Sequence, residues 1–111
     1  MRMTKRLDEP SGLRVIEAGT VVSLHGRLDV SASTDARLAL AQAVDDGAGE
    51  LVVDLRELSA VDVTGLGVLV GAHRRAQRAG RTLVLRDVPD PVGRLLFVTR
   101  LDRVLRTTRC A

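Results

Sequence analysis

The stretch Val61–Gly71, V-D-V-T-G-L-G-V-L-V-G, is the segment around which the rest of the chain is arranged. In it an acidic residue, Asp62, and a hydroxyl, Thr64, precede glycines and an apolar run that predicts the start of a helix. A hydroxyl at a helix start accepts hydrogen bonds from backbone N–H groups that lack partners within the helix. The same position tolerates phosphate, because those N–H groups and the helix dipole favour negative charge. Thr64 therefore has three interpretations: a helix cap, a phosphorylation site, or part of a site for the phosphate of a ligand.

The composition is that of one globular domain with an aliphatic core. The chain has 111 residues, 45% of them hydrophobic, and Phe97 is its only aromatic residue. Single-stranded nucleic-acid binding usually needs aromatic stacking platforms, so this scarcity disfavours it. The net charge of +3 is the small difference between 17 basic and 14 acidic residues that are interleaved along the chain. We interpret the one local basic cluster as a solvated helix face and expect no nucleic-acid partner. That cluster consists of Arg74, Arg75, Arg78 and Arg81.

The termini and the single cysteine indicate a soluble cytoplasmic protein. Cys110 has no second thiol with which to form a disulfide or a metal pair. No apolar signal core follows the basic N-terminus. No apolar run approaches the roughly 18 residues of a membrane span, so we expect no membrane association.

Hydrophobic periodicity predicts a small α/β domain with a mixed sheet of four to five strands and three or more helices. Strands are predicted over 13–17, 20–28, 51–55 and 82–86, with a turn and a last short strand over 101–106. The first two form an antiparallel hairpin, and alternation with helices makes the later strands parallel, joined by right-handed crossovers. Residues 56–60 are predicted to be a loop. The domain occupies residues 12–108, between a loose lead-in at 1–11 and a tail at 109–111.

Three amphipathic patterns predict the helices. The first opens near the possible caps Ser31, Ser33 and Thr34 and ends at the glycines Gly47 and Gly49. The second runs from about Thr64 to Ala79, with Gly80 as a left-handed cap residue, and the third begins with Asp90 capping Pro91. The residues predicted to face inward are Ala36, Leu40, Ala43 and Val44 in the first helix, Val68, Leu69, Ala72, Ala76 and Ala79 in the second, and Val92, Leu95 and Leu96 in the third.

Catalytic groupings are missing from the sequence pattern. His25 and His73 have no Cys, His or carboxylate partner at metal-ligand spacing, so both are interpreted as surface or boundary residues. Asp62 and Thr64 do not make a nucleophile–base pair without a histidine or lysine. We expect no enzyme activity, no catalytic residue, no metal and no cofactor.

Dinucleotide binding is the main rival pattern. Gly65-x-Gly67-x-x-x-Gly71 loosely resembles a glycine-rich fingerprint, and Asp87 at the end of the next strand would suit a ribose hydroxyl. The glycines should directly follow a strand, however, and residues 56–60 intervene. Close packing of helix against sheet explains Gly67 and Gly71 more simply.

Three short motifs together resemble a known family. Gly26–Asp29, Leu51–Leu55 and Asp62–Leu69 have the order and spacing of the STAS domain, as found in stand-alone bacterial anti-sigma factor antagonists. The likeness covers roughly residues 13 to 107. Each motif alone is weak, and their order and spacing carry the resemblance.

The resemblance implies a regulatory cycle at Thr64. In that family the hydroxyl before Gly-Leu-Gly is phosphorylated by an anti-sigma factor that is also a serine/threonine kinase. The unmodified antagonist binds the anti-sigma factor and frees a sigma factor, the phosphorylated form lets go, and a phosphatase restores it. Many relatives carry two adjacent hydroxyls after the aspartate, and Val63 at the first leaves Thr64 as the candidate. A monomer or weak dimer is expected.

The resemblance also implies a partner-binding surface and side-chain roles. That surface comprises Asp29, Asp62, Val63, Thr64, Gly65 and Leu66. Asp29 would lie near Thr64 on its rim, unless it is only a cap or turn aspartate. Asp62 either orients Thr64 and assists phosphotransfer or serves as a plain loop or cap residue, and Asp54 marks a strand end. The alternative function is a STAS-like scaffold, or a sensor of a small ligand or nucleotide, without a phosphorylation cycle.

Overall fold

Six β-strands and three α-helices make up residues 12–109, the part of the chain that this computed structural model describes. The strands are β1 Gly12–Glu17, β2 Val21–Leu28, β3 Glu50–Asp54, β4 Leu58–Val61, β5 Thr82–Val88 and β6 Arg106–Arg109. The helices are α1 Ser33–Asp45, α2 Val63–Arg78 and α3 Asp90–Val98, followed by a 3-10 turn over Leu101–Arg103. The predicted lead-in at 1–11 lies outside the described residues, as do 110 and 111 of the predicted tail. Arg109 belongs to β6, one residue beyond the predicted domain end.

The sheet is mixed, as predicted. Its strand order is β1-β2-β3-β5-β6, and β1 pairs antiparallel with β2 while the β2–β3, β3–β5 and β5–β6 pairs are parallel. Both the hairpin and the parallel arrangement are therefore confirmed. None of the helices within residues 12–109 is long and apolar enough to span a bilayer.

The remaining strand, β4, lies outside this strand order and, among the described strands, pairs only with β2. It overlaps residues 56–60, which were predicted to be a loop, so that prediction was wrong. The first half of β2 pairs with β3, from Val21 to Ser23. At Gly26, whose φ is +79°, the register shifts and the second half of β2 pairs with β4, placing Leu28 opposite Val61. A glycine tolerates this positive φ without the steric cost that a side chain would bring. The bend in β2 thus creates a two-stranded ribbon beside the main sheet.

Aliphatic side chains from the sheet and all three helices form one core. The predicted inner faces of α1, α2 and α3 are confirmed except at two residues. Ala79 is exposed, because α2 ends at Arg78 and Ala79 is its cap residue. Leu95 is half-buried and packs against the core.

Helix ends differ from the sequence prediction in their capping residues. At α1, Ala32 occupies the cap position without a side-chain hydrogen bond, so Ser31, Ser33 and Thr34 do not cap it. At α3 the cap position is Pro89, and Asp90 is the first helical residue. Gly80, with φ +75°, follows the end of α2 as predicted.

Arg81 is buried, which corrects its assignment to a solvated basic face. Only 4% of its surface is exposed. Its guanidinium donates to backbone carbonyls of the β1–β2 turn, the end of α1, and the loop before β3 together with the first residue of β3. These acceptors are Gly19, Ala43, Val44, Ala48, Gly49 and Glu50. Arg81 therefore joins three chain segments at one end of the sheet.

Candidate functional site

The candidate site lies where the β2–β4 ribbon ends and α2 begins. The carbonyl of Leu28, the last residue of β2, accepts a hydrogen bond of 3.3 Å from the N–H of Asp62. Asp29 follows Leu28 directly, so the two predicted motifs lie side by side. The expected proximity of the Asp29 segment to the segment that carries Thr64 follows from this bond and from the Leu28–Val61 pairing.

Asp62, and not Thr64, caps α2. Its backbone is extended, and its Oδ1 accepts a 2.9 Å hydrogen bond from the N–H of Gly65. A carboxylate at this position satisfies an N–H without a helical partner and also interacts favourably with the helix dipole. The prediction of Thr64 as a cap was therefore wrong, and the cap role considered for Asp62 is the observed one.

Thr64 is the second residue of α2 and is exposed to solvent. Within residues 12–109 its hydroxyl makes no hydrogen bond, and the backbone N–H groups of Val63 and Thr64 also lack acceptors. The Asp62 Oδ1 atom accepts a hydrogen bond from the N–H of Gly65 and not from Thr64. The site thus offers one accessible hydroxyl oxygen beside two unpaired N–H groups at the positive end of a helix dipole.

Gly65 and Leu66, which were predicted as partner contacts, are both buried beneath this surface. Leu66 is 2% exposed and belongs to the core. A Cβ on Gly65 would lie 2.0 Å from the carbonyl oxygen of Leu28 and 2.7 Å from Cγ2 of Val61. Glycine therefore permits α2 to start directly against the ribbon, and Leu66 anchors that start from below.

The close-packing explanation fails for the other two glycines of the motif. A Cβ on Gly67 or Gly71 would meet no atom within 4 Å among the described residues. Both sit on the outer side of α2 and are exposed. Neither the packing of α2 nor a turn requires glycine at these positions.

Asp29 fixes a tight turn at the end of β2. Its Oδ1 accepts hydrogen bonds from the hydroxyl of Ser31 at 2.8 Å and from the Ser31 N–H at 3.1 Å, and its Oδ2 accepts from Nε of Arg27 at 3.2 Å. The Ser31 hydroxyl is the main cause that lowers the pKa of Asp29 below the ordinary value of 3.8. Asp29 is therefore a turn aspartate, one of its two interpretations, and it remains charged beside the site at neutral pH.

The acidic residues at the ends of β3 and β5 belong to a separate ion-pair network. Asp54 accepts hydrogen bonds from the N–H of Arg56 and from Arg86, and Asp87 pairs with Arg56. This agrees with the structural role predicted for Asp54. It also weighs against Asp87 as a ribose ligand, because its carboxylate is already paired. Residues 12–109 contain no cluster of three or more His, Cys, Asp or Glu side chains that could hold a metal ion.

Sequence reasoning missed Val30, which lies in the Asp29 turn. Val30 is 70% exposed, and Val63 in the first turn of α2 is 74% exposed. A lone valine between a strand and a helix gives no sequence signal, since only the ribbon pairing brings its segment to the start of α2. His25 and His73 are half-buried boundary residues, as interpreted.

Comparison with known proteins gives consistent results along nearly the whole described chain. A family model described as "Mlab, STAS domain" matches residues 12–107. The chain is 31% identical over 86 residues to an anti-sigma F factor antagonist of Paenibacillus polymyxa, covering 77% of this chain and 74% of that protein. It is 32% identical over 84 residues to an anti-sigma-B factor antagonist of Staphylococcus aureus, covering 76% and 78%.

Solved structures share the fold. The anti-sigma factor antagonist SpoIIAA in its unphosphorylated form aligns with a TM-score of 0.67 at 21% identity, covering 92% of this chain and 90% of that one. An anti-sigma-factor antagonist (STAS) domain protein from Planctomyces limnophilus aligns with a TM-score of 0.72 at 17% identity, covering 90% and 92%.

Proposed function

The chain belongs to the STAS domain family, and from that membership we propose that it is an anti-sigma factor antagonist whose binding is switched by phosphorylation of Thr64. Its partner would be an anti-sigma factor with serine/threonine kinase activity, and the unmodified protein would bind that partner in the cytoplasm and free a sigma factor. In this proposal the protein is a regulator and not an enzyme.

The observation that carries the proposal is the state of the Thr64 hydroxyl. It is exposed and has no hydrogen-bond partner within residues 12–109, on a helix start that is fixed by the Asp62 cap and by the contact of Gly65 with Leu28. A kinase can therefore reach the oxygen without unfolding the segment. A hydroxyl held on a rigid element also costs little to position in a kinase active site.

The chemical step is transfer of one phosphoryl group. Thr64 Oγ1 would attack the γ-phosphorus of ATP, forming a new O–P bond while the bond to the β-phosphate oxygen breaks and ADP leaves. A basic group of the kinase would accept the hydroxyl proton. Asp62 accepts from Gly65 and caps the helix, so its role here is to orient the helix start that presents Thr64.

The folded domain is suited to accept the product. The phosphate would add about 1.5 to 2 negative charges beside the unpaired N–H groups of Val63 and Thr64 and the helix dipole. Those groups stabilise it within the free protein. A bound partner would instead cover a strongly hydrated dianion, and a loss of about 3 kcal/mol would weaken the complex by roughly a hundredfold. A phosphatase would reverse the change.

Modification is tested by intact mass after incubation with ATP and each purified anti-sigma factor kinase encoded by the host genome. We expect one phosphoryl group on the wild type and none on Thr64→Ala. Modification of Thr64→Ala would contradict the assignment. An unmodified wild type that still binds one of these proteins would favour a STAS-like scaffold without a phosphorylation cycle.

Release by charge is tested with Thr64→Glu, measured by calorimetry or surface plasmon resonance. We expect binding to weaken about a hundredfold while the melting temperature stays close to that of the wild type. Thr20→Glu is the matched control, because Thr20 is exposed in the turn at the opposite end of β2 and should bind normally. Equal affinity of Thr64→Glu and the wild type would refute the mechanism.

A further inference from the structure

Val30 and Val63 are exposed apolar residues in the two chain segments that the Asp62–Leu28 hydrogen bond joins. We propose that the two side chains together bind an apolar patch on the anti-sigma factor and exclude water around Thr64. This inference rests on the proposed function, and it adds to it the chemistry of the partner surface.

The ribbon places the two valines at the same end of the fold. Leu28 and Val61 are register partners in parallel strands. Val30 lies two residues after Leu28 along the chain, and Val63 lies two residues after Val61. The two chain segments are held together there by the hydrogen bond from Asp62 to Leu28. Thr64 follows Val63 directly at the start of α2, so both valines lie in the two segments that meet where the switch hydroxyl is presented.

Both valines are fixed in place although neither is buried. The Val30 carbonyl accepts a hydrogen bond from the Ser33 hydroxyl at 3.2 Å, and the turn is closed by the bond from the Ala32 N–H to the Asp29 carbonyl at 3.1 Å. Val63 is held by the capped first turn of α2. Valine also has few rotamers to lose on binding. The pair is therefore preorganised for contact.

Single exposed apolar residues are ordinary and need no partner. Val30 and Val63 differ because Val63 directly precedes Thr64 and Val30 lies in the segment that the Asp62–Leu28 hydrogen bond joins to it, at the end of the fold that the anti-sigma factor is proposed to cover. A complementary surface must be apolar opposite them, since a polar group buried there would lose hydrogen bonds to water. The same dry contact would raise the cost of burying a phosphate on Thr64, which reinforces release.

The test replaces each valine by the nearly isosteric threonine. Affinity of Val30→Thr, Val63→Thr and the double variant is measured for the anti-sigma factor kinases that bind the wild type, without ATP so that no new hydroxyl is modified. We expect each single change to weaken binding about tenfold, as for burying one hydroxyl without a hydrogen bond. Val15→Thr is the matched control, because Val15 is 58% exposed on β1 and pairs with Val22 near the far end of β2.

The outcomes separate this inference from the proposed function. If the wild type binds none of the kinases, the proposed function fails and this inference falls with it. If the wild type binds and Thr64→Glu releases it, but both valine variants bind within twofold of the wild type, only the apolar contact is refuted. Because both side chains are exposed, unchanged melting temperatures would show that weaker binding does not come from unfolding.

Discussion

Replacing Arg81 with methionine should remove a large part of the stability of the fold. Three of its hydrogen bonds are buried: Nη1 donates to Ala43 at 3.1 Å and to Val44 at 2.8 Å, and Nη2 donates to Gly19 at 2.5 Å. Ala43 and Val44 lie in the last turn of α1, where carbonyls have no helical N–H partner. Methionine replaces the aliphatic stem but donates nothing, so these carbonyls are left without the guanidinium.

The expected loss is about 3–5 kcal/mol. Each buried acceptor left without a partner costs about 1–3 kcal/mol, and relief of the desolvated charge and entry of water offset part of the sum. The free energy of unfolding of a domain is typically about 5–15 kcal/mol, so this is a large fraction of it. At about 4–8 °C per kcal/mol, the melting temperature should fall by at least roughly 12 °C.

Urea unfolding followed by circular dichroism measures the effect. Arg75→Met is the matched control, because Arg75 pairs with Asp45 at 2.7 Å with both side chains nearly half exposed, and its loss should cost less than about 1 kcal/mol. If Arg81→Met does not fold, Arg81→Lys should still fold with an intermediate stability, since lysine keeps the charge without the planar fork. An Arg81→Met protein within about 1 kcal/mol of wild type would refute the reasoning.

Two further predictions concern the glycine motif and acid stability. Gly65→Ala should cost at least about 1–3 kcal/mol in urea unfolding, because the new Cβ would lie 2.0 Å from the Leu28 carbonyl oxygen and α2 must shift. The Cβ of Gly67→Ala would meet no atom within 4 Å, so this variant should stabilise the helix by up to about 1 kcal/mol. Equal stabilities of the Gly65→Ala and Gly67→Ala variants would contradict the packing argument. Burial raises the pKa of Asp54, but hydrogen bonds from a backbone N–H and from Arg86 outweigh it and hold the pKa below 3.8. The unfolded chain then binds this proton first, so stability present above about pH 3.8 is lost as the pH falls through the native pKa. Asp54→Asn should flatten the dependence of unfolding free energy on pH in the acid range below about pH 5, and an unchanged slope would contradict this.

The parts of the fold that local patterns determine were predictable. The apolar run of β3 and the inward faces of the helices follow from hydrophobic period alone. β4 was not predictable, because four residues give too short an alternation and their pairing depends on the bend at Gly26. That bend is a tertiary feature of β2, which the sequence pattern presents as one continuous strand.

The site was predictable in its position but not in its details. The motif identified the exposed Thr64, yet the cap is Asp62, since both residue types favour that position and only the observed start of the helix decides between them. Leu66 was placed on the partner surface by the resemblance alone, and the structure shows that its side chain belongs to the core. Arg81 shares its residue type with three neighbouring arginines, and the carbonyls that receive it come from distant segments.

The bend in β2 separates the strand into two halves that pair with different strands. Its first half is part of the central sheet, whereas its second half leads to the proposed recognition surface on a ribbon held by a few pairs with β4. Amide protons of the ribbon can therefore exchange with solvent through a local opening that leaves the main sheet closed. Substitutions at the exposed ribbon positions Arg27, Ser59 and Ala60 can in turn alter the shape presented to a partner at little cost to the core, which would let this small domain change partners without a change of fold.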